Sequence, residues 1–227
     1  MSARAGAELA RERLSQRATF VAALLSFAFV LGVALLERAQ SAVGAADRAL
    51  TGGLFGVDLP LVCYFLVERA CAGTSLRQAS LPLARHGLDR RGLTLGLALP
   101  PALLAAAFAG LSSLLVVLIT RGPGDPQFLA DAWTSLTIGI VSGPVYVGAL
   151  VGASALGRRG QGRAWLLAAD FLLGAGDSFL AFPWPKGHIR NLLGGSSVLE
   201  LSQLGALIAV LGTSLAFLWL GVVRAQR

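Results

Sequence analysis

Charged residues are spread thinly along this chain, and long apolar blocks separate them. Residues 18–36, 49–67, 93–120, 132–157, 164–182 and 201–223 form six such stretches, 134 of the 227 residues between them. A helix needs about 20 apolar residues to cross a hydrocarbon core of roughly 30 Å. The pattern predicts an all-α polytopic membrane protein with six transmembrane helices. Spans are placed at about 18–36, 49–67, 98–120, 132–157, 164–182 and 201–223, in one transmembrane domain over 18–223. The third span is set to begin near Pro100 and Pro101, since proline is tolerated in a first helical turn. That leaves 93–99 as a kinked extension. The RGPGDP run at 121–126 is a turn cluster.

Composition supports the blocks. The chain is 55% hydrophobic and 14% charged, with a mean hydropathy of +0.70. Soluble chains carry roughly 45–50% apolar and about 25% charged residues, so charge here is too sparse for a water-facing surface. The net charge of +7 would suggest nucleic acid in a soluble protein. In a membrane protein it is topological, because Lys and Arg accumulate in cytoplasmic loops. With the six stretches crossing in alternation, 14 of the 19 basic residues fall on one side and five on the other. Both termini are therefore expected in the cytoplasm and the protein in the inner or plasma membrane, with no nucleic acid partner. The first span is read as retained. Its core is longer than a signal-peptide h-region of about 7–15 residues, and Ala39, Gln40 and Ser41 mimic a cleavage site only weakly.

Residues 1–17 read either as an interfacial helix along the cytoplasmic membrane surface or as a solvated helix or frayed tail; 224–227 are a short tail. The second loop, 68–91, is the longest polar segment. Gly73 or Thr74 can cap a short helix there, with Leu76, Ala79, Ser80 and Leu83 on one face and Pro82 ending it. Such a helix is either an ordinary connection or a contact for a soluble partner. The segment 183–198, expected outside, reads as a short helix or a re-entrant hairpin.

Polar groups inside the spans are few. Asp58, Asp170 and Asp177 are candidates for a polar lining, since an ionisable group in lipid is costly and faces protein or water. Helix-to-helix hydrogen bonding is the plainer alternative, favoured for Asp177 near the end of its span. Asp170 and Asp177, seven residues apart, share a helical face in this reading. Gly139 and Gly143, then Gly148 and Gly152, form two small-xxx-small pairs for close helix packing, within the chain or between subunits.

Catalytic motifs are missing. The single lysine, Lys186, is followed by Gly187, so no phosphate-cradling GxxxxGK[ST] loop exists. HExxH, CxxC and GxSxG are absent too. Cys63 and Cys71 make no zinc or disulfide pattern, and His188 has no second ligand nearby. The chain is expected not to be an enzyme and to hold no metal or cofactor.

The second loop, ERACAGTSLRQASLPLARHGLDRRG, resembles the corresponding stretch of the membrane subunits of type-2 ABC exporters. Glu68, Gly73, Thr74, Leu76, Pro82, Leu83 and Arg85 follow that pattern in order. The six-span permease of haem export in cytochrome c maturation is similar in length and in this loop. The resemblance implies a coupling helix at 75–81 seated in a separate ABC-type ATPase. It also implies a dimer of two permease subunits, identical or not, and ATP and Mg in the partner. The chain departs from the pattern at Arg77 and in its Ala/Gly-rich spans, which leaves the substrate open. A non-transporting membrane scaffold or assembly factor is the alternative, and an autonomous carrier using Asp58 and Asp170 a third reading.

Overall fold

The computed structural model describes residues 1–40 and 43–226; Ser41 of the cleavage-like stretch and Arg227 of the tail lie outside the described residues. Every regular element among the described residues is helical. In chain order these are α1 (Ser2–Leu14), α2 (Arg17–Gln40), α3 (Ala45–Arg48), α4 (Leu59–Ala70), α5 (Leu76–Ala84), α6 (Arg90–Thr120), α7 (Phe128–Ala153), α8 (Gly162–Leu173), α9 (Pro185–Leu192) and α10 (Gln203–Gln226). A π-helical segment, Ala49–Asp58, joins α3 to α4.

Among the described residues, five helices are long and apolar enough to cross a membrane: Arg17–Gln40, Ala45–Ala70, Arg90–Thr120, Phe128–Ala153 and Gln203–Gln226. α2 and α10 turn Phe20, Leu24, Leu25, Ile208, Leu215 and Trp219 outward. Apolar surface of that extent is consistent with a membrane-embedded protein.

The expected fifth span is not one helix. α8 has 12 residues, about 18 Å at 1.5 Å per residue, and stops at Leu173. The GAGDS run after Leu173, then Pro183 and Pro185, prevents continuation, because glycine is a poor helix former and proline lacks an N–H. Asp170 and Asp177 therefore do not share a helical face. α9 follows as a short helix opened by Pro185, as expected for part of 183–198.

Small residues set the packing of the central helices. α6 and α7 run antiparallel: the Cα of Gly139 sits over the backbone of Ala109, and that of Gly143 over Ala105 and Ala106. On another face of α7, Gly148 meets Ser214 and Gly152 meets Phe217 of α10, so α7 and α10 run parallel. Ser214 Oγ donates to the Val145 carbonyl at 2.9 Å. Both glycine pairs thus serve contacts within the chain. Parallel α7 and α10 require residues 154–202 to return the chain from one end of the bundle to the other, and α8 with the irregular segment after it makes that return.

α6 is continuous through Pro100 and Pro101 and begins at Arg90, not near the prolines. The missing N–H groups weaken the middle of the helix, but its first turns are held by α1. Gly92 packs on Ser2, Gly96 on the Ala3 backbone, and Gly6 of α1 on the Leu93 backbone. α1 is thus a helix, as one reading of 1–17 expected, with Gly6, Ala10 and Leu14 buried against the bundle.

The π-helical segment has a local cause. It contains Gly52, Gly53 and Gly56 and ends two residues before Pro60. In an α-helix the Pro60 ring would press on the Gly56 carbonyl; the wider π turn relieves that crowding.

Candidate functional site

The end of the bundle that carries both termini is built from the second loop. α4 stops in a Schellman-type turn. The Ala72 N–H bonds the Arg69 carbonyl and the Gly73 N–H the Glu68 carbonyl, both at 3.0 Å. Ala72 (φ 51°) and Gly73 (φ 68°) are both left-handed, a region glycine enters without penalty and alanine does not.

α5 then starts from a capping box. Ser75 Oγ accepts the Gln78 N–H at 3.3 Å, and Gln78 Oε1 accepts the Ser75 N–H at 3.4 Å. Ser75 is the cap; Gly73 and Thr74 are not. Pro82 does not end the helix, which runs to Ala84 with the proline inside it. The tolerance is local: in so short a helix, Pro82 gives up a single intrahelical bond, to Gln78.

Arg163, at the start of α8, locks this corner. Its side chain is 3% exposed and forms an ion pair with Glu68. Nη1 donates to the Thr74 carbonyl at 3.0 Å and reaches Ser154 Oγ at 3.3 Å. The Leu76 N–H bonds the Ser154 carbonyl at 3.2 Å, which ties α5 to the end of α7. Arg13 of α1 donates to the Ala70 carbonyl at 2.6 Å. Burial pushes the Cys71 thiol above its ordinary value, while nearby Arg163 and Arg13 pull the other way. Burial also pulls the Arg13 guanidinium below its ordinary value.

The motif residues thus divide by direction. Leu76 is fully buried, with Ala79 and Ser80 beside it, so Leu76 cannot touch a soluble partner and instead anchors α5. Glu68 and Thr74 serve the same anchoring through Arg163, and Gly73 provides the turn. The exposed face of α5 and the residues after it carry Arg77, Gln78, Pro82 and Arg85, with Leu83 half-buried. A surface hollow of about 590 Å³ next to this face is lined by Arg77, Gln78, Leu81, Arg158 and Arg159 among others. A second, of about 450 Å³, runs from Arg77 to Arg224. The face is strongly basic.

The three aspartates do not converge. Asp170 is fully buried; one oxygen accepts the Tyr146 hydroxyl and the other the Lys186 backbone N–H, each at 3.0 Å. It fastens the first turn of α9 to α7 and α8, which is a tether and not a lining. Asp177 lies past the end of α8, 63% exposed, and pairs with Arg190 at 2.5 Å. Arg190 also donates to the carbonyls of Ala175 and Gly176. Asp58 alone of the three borders an apolar cavity, between α2, α4 and α6. Among the described residues no three His, Cys, Asp or Glu side chains gather. His188 is buried, its Nε2 donating to the Phe182 carbonyl at 2.8 Å.

Arg163 escaped sequence reasoning, which counted it only as a cytoplasmic charge. Its position directly before an apolar helix was the available signal: an arginine there is either at an interface or paired. Comparison of the chain with protein-family models, curated proteins and solved structures finds no match.

Proposed function

We propose that this chain is the permease subunit of an ATP-driven exporter of the type-2 ABC class. It would cross the cell membrane six times, the return through α8 and residues 174–202 counting as the fifth, with both termini cytoplasmic. Two such subunits would pair, and ATP, Mg and hydrolysis would belong to a separate ATPase.

The observation that carries the reading is the mounting of α5. A nine-residue helix is capped at its start, bonded to the end of α7 and locked through Arg163 to α8. Only its outer face is free. A push on that face is delivered to α4, α7 and α8 together, as coupling nucleotide-driven motion to the membrane requires. Ligand energy shifts a conformational equilibrium only through differential contacts with its two states, and a rigidly seated helix transmits such contacts.

The exposed Arg77, Gln78 and Arg85 are the residues to alter. Affinity purification of the tagged protein in mild detergent should recover a stoichiometric soluble protein with a P-loop. The triple variant Arg77→Glu, Gln78→Glu, Arg85→Glu should lose that protein while keeping its elution volume and melting temperature. Unchanged recovery by the triple variant overturns the role of α5. A partner set of membrane proteins with no ATPase turns the assignment to a membrane scaffold.

A further inference from the structure

A half-open cavity of about 470 Å³ lies between α2, α4 and α6, with Leu25, Leu61 and Leu104 of its wall partly exposed on the outer side. Its wall is almost wholly apolar, with Leu25, Leu61, Val62, Phe65, Leu104 and Phe108 prominent. Phe27 and Phe108 meet edge-on at 4.9 Å and bridge α2 to α6 at its side. The cavity volume falls in the range of about 300–1,000 Å³ usual for small-molecule sites.

One carboxyl interrupts this wall. Asp58 closes the π-helical segment, near the middle of the helical stretch Ala45–Ala70, and is 5% exposed. The Ser26 hydroxyl of α2 faces the carboxyl. Its Oδ2 has no hydrogen-bond partner among the described residues. A buried carboxyl oxygen left unpaired is costly, and among the described residues no lysine, arginine or histidine lines the cavity to compensate it. That oxygen is therefore left for a donor that enters.

We propose that this cavity binds an amphiphilic amine: a single primary ammonium against Asp58 and an aliphatic or aryl body along the apolar wall. Among the described residues that line it, no basic side chain is present to take a phosphate. An anionic amphiphile is excluded by Asp58 itself. The head group is set by the carboxyl and the body by the wall, so the site selects by charge first and by length second. The inference does not rest on ATPase coupling, and its test needs no ATPase.

The probes are dodecylamine, dodecanol and dodecanoate, three amphiphiles with the same tail. Binding to the purified protein in a non-ionic detergent is read by native mass spectrometry. Dodecylamine should bind at least about tenfold more tightly than dodecanol, a difference of roughly 1.4 kcal/mol, and dodecanoate should not bind. Asp58→Asn, nearly isosteric, should erase the preference for the amine and keep dodecanol binding. Ala107→Trp, which intrudes from the exposed lining position on α6, should weaken both dodecylamine and dodecanol.

Equal binding of the three probes to the unaltered protein would reduce the cavity to a slot for any acyl chain and overturn the proposal. So would an amine preference that survives Asp58→Asn, or binding untouched by Ala107→Trp. A change of oligomeric state in Ala107→Trp, with probe binding intact, would mean that a second copy of the chain covers the cavity. Should Asp58→Asn fail to fold, the ranking of the three probes on the unaltered protein and on Ala107→Trp still decides.

Discussion

Arg163 and Glu68 form an ion pair that joins the first turn of α8 to the last turn of α4, and the same guanidinium holds the Thr74 carbonyl. One side chain thereby sets the position of the loop that leads into α5. Removing the arginine leaves the Thr74 carbonyl and the Glu68 carboxylate without their donor, whereas removing the carboxylate leaves a buried cation.

Arg163→Gln is expected to lower stability by about 1–3 kcal/mol, the cost of orphaning charged and polar partners at a mostly buried site. Glu68→Gln should also lower stability, because it leaves the Arg163 guanidinium, 3% exposed, without its counter-charge. Thermal unfolding in detergent measures both. Limited proteolysis should show cleavage within 68–91 rising in Arg163→Gln. A variant that melts and resists protease like the parent would show that α5 is seated without this pair.

Ala72 adopts φ 51° in the turn that ends α4. Ala72→Gly should raise stability by about 0.5–1 kcal/mol. Relief of a left-handed conformation worth about 1–2 kcal/mol outweighs the extra freedom that glycine brings to the unfolded chain. Gly73→Ala, at φ 68°, should lower it by about 1 kcal/mol. Opposite signs at adjacent positions are the diagnostic result, read as shifts in melting temperature.

Cys71 is buried against Arg163 and Arg13, and burial raises its thiol above the ordinary value of 9.0. Its neutral form is favoured in the folded protein. The stabilising contribution is then complete below pH 9.0 and is lost as pH rises through the higher folded value. A water-soluble maleimide should label Cys71 slowly from pH 7 to 9 in the folded protein and quickly after denaturation, a contrast set by thiolate population and access. Rapid labelling of the folded protein near pH 7 would show that the corner is open.

Gly152 and Gly212 lie on facing helices but differ in what surrounds them. A Cβ on Gly152 would strike the Phe217 backbone, while one on Gly212 would meet nothing within 4 Å. Gly152→Ala should cost about 1–3 kcal/mol through forced separation of α7 and α10. Gly212→Ala should be neutral or stabilising by up to about 1 kcal/mol through helix propensity. Comparable losses at both sites would mean that the parallel α7–α10 contact does not form as described.

Much of the architecture was legible in composition. The apolar blocks located five helices long enough to span, to within several residues at their ends, and Ser75 to Leu81 lies close to the observed α5. The two glycine pairs were read as packing positions, and the structure assigns both to contacts within the chain. The candidate site was legible only in part. Glu68, Gly73, Thr74 and Leu76 were singled out together, and they do lie together, but as the anchorage of α5 and not as its outer surface. Spacing shows which residues share a helix face, and it does not show which face is turned inward.

By itself the sequence determined that the chain is helical and suited to lipid, because a hydrocarbon core demands long apolar runs whose backbone groups bond within each helix. It also determined some of the turns, such as the glycine- and proline-rich run at 121–126, because clustered glycine and proline act on the backbone at the positions they occupy. Only the tertiary structure decided that the chain after Leu173 folds back to set Lys186 on Asp170, that Pro100 and Pro101 sit inside one helix, and that Arg163, Glu68 and Thr74 meet. Each of those depends on a partner distant in the chain: α1 lying on Gly92 and Gly96, the Lys186 N–H on Asp170, the Thr74 carbonyl on Arg163. A window of local hydropathy carries no record of such contacts, and their energies of a few kcal/mol are what choose between a straight helix and a broken one.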